Sequence, residues 1–573
     1  MRTEPGDPSG GGGPSPAGSA RWVAAPVPEA AAELTRAGLP DWLAPLLARR
    51  GVADRPAADR FLAPALDQLH DPYLLAGMAG AVERLMRARE RHELLAVVGD
   101  YDVDGITATA LLLAVLKACG VEARAILPHR LREGYGFQPV HVERARELGC
   151  RLILTVDCGS SAPDAVAAAL TAGIDVVVTD HHLPGCELPP GALQINPRQR
   201  GCSYPFPDLA AVGLALKLAL ALAARCSRPL DVAALLRIAC LGTIADLVPL
   251  RGENRVIAAL GLRALGAARS QGLKALMRQS GMKPPYSAAD IGYRLGPRLN
   301  AAGRLHDPSH ALELLLSRDP ARALELALEL DDWNRQRQAQ ELQVVEEARR
   351  SFAERRPLPA LLLAWNDSWH RGVIGVAAGR IAKELHRPTI LWSVGGATAT
   401  GSGRSVPGVE LHGFVARFAG QLLRFGGHAQ AVGMTAAAER LPELRRDWEE
   451  AAAAAWPSAL LERRYEYEME VAPREVSAEL VAQLAGLEPF GQDNPRPLVR
   501  SGPLRLARTP RLFGKGHLAA QARGEDGGTV ELVGWLWAER AAELAGRFEV
   551  LGHIETDSYH GGPVLRLVAS RPV

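Results

Sequence analysis

LLAVVGDYDVDGITATALLL, residues Leu94 to Leu113, decides how the rest of the chain is read. The apolar run Leu94 to Val98 predicts a buried strand that breaks at Gly99, and Ile106 to Leu116 has the period of an amphipathic helix. Between them stand Asp100, Asp102 and Asp104, closed by Gly105. Three carboxylates on one tight turn repel each other at neutral pH, so the spacing points to cations held among them. An EF-hand loop opens with the same D-x-D-x-D-G letters, but it needs a bidentate Glu where this chain has Leu111, and a helix in front where this chain has a strand. A solvated acidic cap at a helix start would account for one Asp; three at alternating positions at a strand's carboxyl end favour a metal site.

If that is the chemistry, other strand ends must deliver ligands to the same place. Leu152 to Val156 ends in Asp157, within TVDCGSS, and the strand ending at Thr179 runs into Asp180, His181 and His182, within VVVTDHHLPG. Asp246, in GTIADLVPL, follows the helical run Val232 to Cys240. Carboxylates with neutral imidazole suit Mn²⁺ or Mg²⁺, and the absence of thiolates disfavours structural zinc. Strands at Leu94 to Val98, Ala123 to Leu127, Leu152 to Val156 and Asp175 to Thr179 alternate with helices such as Val140 to Leu148 and Ala162 to Ala172. That alternation predicts a parallel sheet with helices on both faces, its functional groups at the strands' carboxyl ends.

Length and composition set the frame. The 573 residues exceed one ordinary domain, and 47% hydrophobic with 23% charged residues describes a globular chain with sizeable cores. A net charge of +2, from 66 Lys and Arg against 64 Asp and Glu, leaves room for local basic grooves without announcing one. The seven cysteines contain no C-x-x-C and sit mostly in apolar segments, which reads as a reducing, cytoplasmic setting rather than a disulfide framework. No apolar run has transmembrane length, so no membrane association is expected.

In chain order, residues 1–20 are Gly, Pro and Ser and read as a disordered tail; 21–92 form a helical lead-in, with helices at Trp42 to Arg50 and Ala79 to Arg89; 93–330 are the α/β domain. Within its later part, GYRLGPRLNAAGRLHDP (Gly292 to Pro308) offers Arg294, Arg298, Asn300 and Arg304 among small residues, a pattern suited to phosphate oxygens. Residues 331–356, without Gly or Pro, predict one long helix whose alternating charges suit a solvated bridge. A second α/β domain follows at 357–462, with strands at Ala360 to Ala364 and Thr389 to Trp392 around a helix from Val373 to Leu385. Two Gly-rich segments there, GSGRSVPG (Gly401 to Gly408) and FGGHAQAVGMT (Phe425 to Thr435), predict phosphate-holding loops with Ser402, Arg404 and His428 as side-chain partners. From 463 to 573 short alternating strands predict a small OB-like barrel, with Phe513, Lys515, His517, Trp535 and Trp537 available to unstacked bases.

VVGDYDVDG, TVDCGSS, TDHH and the Asp246 segment resemble the four successive motifs of the DHH phosphoesterase superfamily. In its pyrophosphatase branch a metal-binding His stands where this chain has Val98, which argues against pyrophosphate as substrate. Three further segments, LEPFGQDNPRP (Leu487 to Pro497), INPRQRGCSYPF (Ile195 to Phe206) and WHRGVIGVAAGRIA (Trp369 to Ala382), resemble the branch that digests single-stranded DNA. The resemblance runs from Pro45 to the C-terminus. It implies an α/β fold in which a parallel-sheet DHH domain is joined by a long helix to a second α/β domain and followed by an OB-like β-barrel. The activity implied is 5′ to 3′ hydrolysis of single-stranded DNA to mononucleotides, in DNA repair and recombination, by water activated between two divalent cations, Mn²⁺ before Mg²⁺.

Carried over residue by residue, Asp157 would bridge the cations, Asp102 would hold one, and Asp104, His181 and Asp246 the other. His182 would contact the scissile phosphate or protonate the leaving oxygen, with Asp100 and Asp180 acting beside it. Arg404 and Ser402, with Arg130, are candidates for the 5′-terminal phosphate, and His428 for a phosphate nearer the cations. A monomer is expected, with a helicase and a single-strand-binding protein as candidate partners. Two other readings stand beside this one: a DHH phosphodiesterase of short oligoribonucleotides or cyclic dinucleotides, and a non-catalytic strand-binding scaffold.

Overall fold

The computed structural model describes residues 20–573 apart from 131, 135, 186 and 558–560, so the expected tail, save Ala20, and Cys186 lie outside the described residues. The chain divides into two compact units: Val27–Asn334 with Leu484–Arg496, and Arg335–Gln483 with Pro497–Val573 and the residues up to Pro26.

In the first unit, β1 (Leu95–Val98), β2 (Ala123–Ile126), β3 (Leu152–Val156), β4 (Asp175–Thr179) and β5 (Leu193–Ile195) form an all-parallel sheet in the order β2-β1-β3-β4-β5. β3 and β4 have the bounds read from sequence; β5, only three residues long, is additional. The alternating strand residues explain why both faces are covered. Leu95, Val97, Leu152 and Leu154 join a core with the helices α1 (Val103–Ala118) and α2 (Ala211–Arg225), while Ala96, Val98, Ile153 and Val178 join another with the helices Pro139–Glu147 and Pro163–Thr171. Each large apolar side chain buried there contributes about 1.5–3 kcal/mol relative to exposure, so both layers stabilise the sheet. In this order the connections reverse direction between β1 and β3, which opens a crevice at their carboxyl ends.

The helix α3 (Val232–Ala245) packs against α1 and α2. Gly292 to Pro308, read as a segment suited to phosphate oxygens, lies mostly in a π-helical turn, Ile291–Leu295, running into α4 (Gly296–Leu305). The long helix α5 (Pro320–Ala353) starts eleven residues before the expected position and is not simply solvated. Ala323, Leu326, Ala327 and Leu330 are core residues of the first unit, and Val344, Val345, Ala348 and Phe352 are core residues of the second.

Leu484–Arg496 belongs to the first unit although both its flanks belong to the second. Two buried arginines hold it. Arg255 donates to the carbonyls of Leu487 at 3.0 Å and Glu488 at 2.8 Å and lies 3.7 Å over the Phe61 ring; Arg50 donates to Asn494 Oδ1 and to the Pro495 carbonyl, both at 2.6 Å. Burial lowers the Arg255 pKa to about 9, with Arg50 adding repulsion, so these carbonyl dipoles and the ring face stand in for a carboxylate partner.

In the second unit, β6 (Leu362–Asn366), β7 (Thr389–Gly395), β8 (Thr398–Arg404), β9 (Arg424–His428) and β10 (Ala431–Ala437) form a mixed sheet in the order β9-β10-β8-β7-β6, flanked by α6 (Ile374–Leu385). The glycines expected in loops are therefore mostly strand residues: Gly401–Arg404 lies in β8, Phe425–His428 in β9 and Ala431–Thr435 in β10, each paired in the ladder. Packing selects the small residues: a Cβ on Gly401 would sit 2.6 Å from the Trp392 ring. The strand Arg21–Ala24, within the segment expected to be helical, pairs in parallel with Arg464–Tyr467. Finally β11 (Val499–Leu506), β12 (His517–Gly524), β13 (Thr529–Gly534), β14 (Phe548–Thr556) and β15 (Pro563–Pro572) close into a five-stranded barrel, β11 pairing with both β14 and β12. No helix among the described residues is long and apolar enough to cross a membrane.

Candidate metal centre

The crevice between β1 and β3 is where the acidic residues collect. α1 begins at Val103, so Asp102 is its N-cap, accepting from the amides of Asp104 (3.0 Å) and Gly105 (3.1 Å), and Asp104 lies inside the first turn. Gly105 is needed there because a Cβ would meet the Asp100 amide at 2.6 Å. Asp104 points across to the start of α2, where the amides of Ala211 (2.7 Å) and Val212 (2.9 Å) donate to its two oxygens. Asp157 follows β3 with φ +64°, a left-handed backbone that aims its carboxylate into the crevice. Asp246 caps the C-terminus of α3.

Ligand-type atoms of these residues fall into three tight groups: Asp100, Asp102 and Asp157; Asp104, His181 and Asp246; and Asp157, His181 and His182. His181 Nε2 lies 3.2 Å from Asp157 Oδ1 and 3.7 Å from Asp246 Oδ2. Asp157 Oδ1, Asp100 Oδ1 and His181 Nε2 are buried with no hydrogen-bond partner among the described residues. Such orphaned atoms are costly unless something satisfies them, and three converging in one crevice fit divalent cations. The electrostatics agree. Burial, reinforced by neighbouring carboxylates, pushes Asp100, Asp157 and Asp246 well above the ordinary carboxylate range and Asp104 up to about 7. Burial also lowers His181 to about 3, leaving a neutral ring with a lone pair for a cation.

Asp180 is outside the three groups and is already satisfied. It accepts from the amides of Ser160 (2.9 Å), His181 (2.8 Å) and His182 (3.1 Å) and from His182 Nδ1 (2.8 Å). Burial opposes its charge, but these bonds win and hold it down to about 2; in return it raises His182, whose burial alone would lower it. Asp180 thus positions His182 and favours its protonated form.

Other expected site residues divide. Arg130 lies 5.1 Å over the Tyr101 ring and Arg304 also bears electrostatically on Tyr101, so both border the acidic turn. Arg298 instead pairs with Asp331 at 2.8 Å and donates to the Arg294 carbonyl, and Asn300 accepts from the Val103 amide at 3.2 Å; these contacts anchor α4 to α5 and to α1. The small residues serve the same docking, since a Cβ on Gly303 would run into the Tyr101 carbonyl. In the second unit Arg404 donates to Ser402 Oγ at 3.1 Å, both beside Gly375 in the first turn of α6, and His428 is exposed at the end of β9. On the barrel, Phe513, His517 and Trp535 form a half-exposed cluster with ring centroids 4.7–6.0 Å apart, whereas Trp537 is buried under Arg540 and belongs to the core. Asn196 is a site residue that sequence reasoning misses: its Nδ2 donates to Ser160 Oγ and to the His182 carbonyl, both at 2.8 Å, and its only signal is its place in INPRQRG.

Family models match this chain as DHH family, N-terminal domain, at residues 95–243; DHHA1 domain at 358–454; and RecJ OB domain at 467–570. A Salmonella typhimurium protein named single-stranded-DNA-specific exonuclease RecJ is 37% identical over 517 residues, covering 86% of this chain and 88% of its own length. The chain belongs to the RecJ family. The Bacillus subtilis RecJ protein is 35% identical over 80% of this chain, which spans 58% of that longer relative. The crystal structure of Thermus thermophilus RecJ in complex with Mn²⁺ superposes with a TM-score of 0.81 at 29% identity, covering 97% of this chain and 80% of that one, and the same protein has been crystallised with Mg²⁺. The cation-fitting crevice described above is thus found in a chain similar to metal-bound RecJ.

Proposed function

We infer that this chain is a metal-dependent exonuclease that hydrolyses single-stranded DNA from its 5′ end to mononucleotides. The observation that carries the reading is the convergence of three buried, unpartnered ligand atoms among five carboxylates, in a chain akin along most of its length to single-stranded-DNA-specific exonucleases. Two divalent cations, Mn²⁺ before Mg²⁺, would be held by Asp100, Asp102 and Asp157 on one side and Asp104, His181 and Asp246 on the other, with Asp157, whose Oδ1 is 3.2 Å from His181 Nε2, the residue that would serve both. Such ions lower the pKa of water and neutralise phosphate charge. Asp104 keeps lone pairs beyond those spent on the α2 amides, and those amides hold it in place without a second counter-charge. His182, held by Asp180, which favours its protonated form, and half exposed, donates to a phosphate oxygen or hands a proton to the departing oxygen.

Arg130 and Arg304 beside Tyr101 are assigned to the strand near the reacting phosphate, and Ser402, Arg404 and His428 to phosphates held by the second unit. Phe513, His517 and Trp535, with Arg511 5.6 Å over Phe513, form a stacking surface for unpaired bases on the barrel. The barrel disfavours a small-substrate phosphodiesterase, which needs no extended strand surface. Only unpaired DNA feeds such an enzyme, so a helicase is its natural supplier and a single-strand-binding protein shares its substrate. The six described cysteines are all free thiols, in keeping with a reducing cytoplasm.

The test is hydrolysis of 5′-labelled single-stranded DNA with Mn²⁺, beside matching RNA, a blunt duplex and Asp157→Ala. Release of labelled mononucleotide from the single-stranded DNA alone, lost in the variant, is expected. Cleavage of RNA dinucleotides but not of long DNA, or binding without cleavage, overturns the reading.

A further inference from the structure

Arg198 lies in the INPRQRG segment, after β5, and has no part in the roles assigned above. Its amide donates to Asn196 Oδ1 at 2.8 Å, and Asn196 in turn holds the His182 carbonyl. Its guanidinium is gripped on one edge only, Nε donating to the Pro207 carbonyl at 3.2 Å and Nη2 to Asp208 Oδ1 at 3.0 Å. Nη1 has no hydrogen-bond partner among the described residues, and the side chain is one-third exposed. The gripping segment itself borders the metal centre: Leu209 is the backbone partner of the His181 ring, and Ala211 and Val212 hold Asp104.

Charge balance gives this cation a task. Five carboxylates against two divalent ions leave the crevice one charge negative, before a phosphodiester adds its own. A guanidinium with a free edge is the group suited to accept that added charge, because its planar donors match phosphate oxygens. Asp208 orients it without fully neutralising it, since Asp208 Oδ2 is shared with Arg251 at 2.9 Å, and Arg251 is 3.9 Å from Asp493 on the docked segment Leu484–Arg496.

Resting on the exonuclease reading above, we propose that Arg198 is a substrate ligand whose free Nη1 edge binds a phosphate oxygen of the strand beside the Asp246 and His181 side of the centre, with Asp208 as its positioning residue. The test uses the full chain with Mn²⁺ and single-stranded DNA, comparing Arg198→Ala, Arg198→Lys and Asp208→Asn. Arg198→Ala is expected to lower kcat/KM on the order of 100-fold with Mn²⁺ affinity, measured by calorimetry, unchanged. Added guanidinium ion should restore its rate saturably. Arg198→Lys keeps charge but not the fork and should fall between; Asp208→Asn should lose less than Arg198→Ala and gain nothing from guanidinium. A merely structural role would shift Mn²⁺ affinity or Tm and give no rescue, which overturns the proposal. So does unchanged kcat/KM in Arg198→Lys with wild-type Tm, should Arg198→Ala fail to fold. Inactivity of the wild type would instead defeat the parent reading, and is distinguishable for that reason.

Discussion

Binding of Mn²⁺ to this chain should expel protons, and by an amount the crevice dictates. Without cations, burial holds Asp104 at about 7, so its carboxyl is mostly protonated at pH 6 and about half protonated at pH 7. A cation can use it only as a carboxylate. From that group alone, Mn²⁺ affinity rises about fivefold from pH 6 to pH 7, and binding at pH 7 releases about half a proton. Asp100, Asp157 and Asp246, all pushed well above the usual range by the same burial, act in the same direction and make these figures lower bounds. His181, lowered to about 3, and Asp180, at about 2, do not change protonation across this window and contribute nothing to it. The assay is isothermal calorimetry in pairs of buffers with different ionisation enthalpies, at pH 6, 7 and 8. Affinity independent of pH, with the same heat in both buffers, would show the carboxylates already ionised and refute the claim that burial and crowding hold them neutral until a cation arrives.

Asp180→Asn should lower the His182 pKa, because the hydrogen bond and charge that offset its burial are lost; histidine NMR titration of the chelated protein reads the shift, and an unmoved His182 would sink the assignment of Asp180 as its positioning residue. Gly303→Ala drives a Cβ into the Tyr101 carbonyl, an overpacking cost of about 1–3 kcal/mol that the acidic turn must absorb, so both urea stability and Mn²⁺ affinity should fall; a loss of neither would mean α4 does not brace that turn.

What sequence can and cannot disclose follows from where each constraint lies. β3 and β4 are readable to the residue because strands buried on both faces are unbroken apolar runs, and their carboxyl ends expose Asp157, His181 and His182 as a set. α1 starts three residues before its apolar period does, since Val103–Gly105 carries two residues common in turns and is helical only because Asp102 caps it. Gly401 and Gly403 look like loop residues, yet they are strand positions made small by Trp392 and Val432, partners that local pattern cannot reveal. Arg298 looks like a phosphate ligand for the same reason: Asp331, which engages it, is 33 residues away on another helix. Trp535 and Trp537 both follow β13, the first half exposed and the second buried, a difference the local pattern does not show.

The docked segment Leu484–Arg496 bears on how this chain can be divided in the laboratory. A cut anywhere between 463 and 483 discards the barrel, and with it the carbonyls that Arg255 uses and the Asn494 amide oxygen that Arg50 uses. Arg255 and Arg50 would then remain buried inside the catalytic unit with fewer acceptors, keeping the Phe61 and Leu46 carbonyls but losing those of the docked segment, and a buried charge stripped of part of its partners is strongly destabilising. Shortened proteins of that kind would lose activity through an unsettled interior rather than through a missing grip on DNA. A deletion series therefore reports on the barrel's role only if residues 484–496 stay attached to the piece that keeps the crevice.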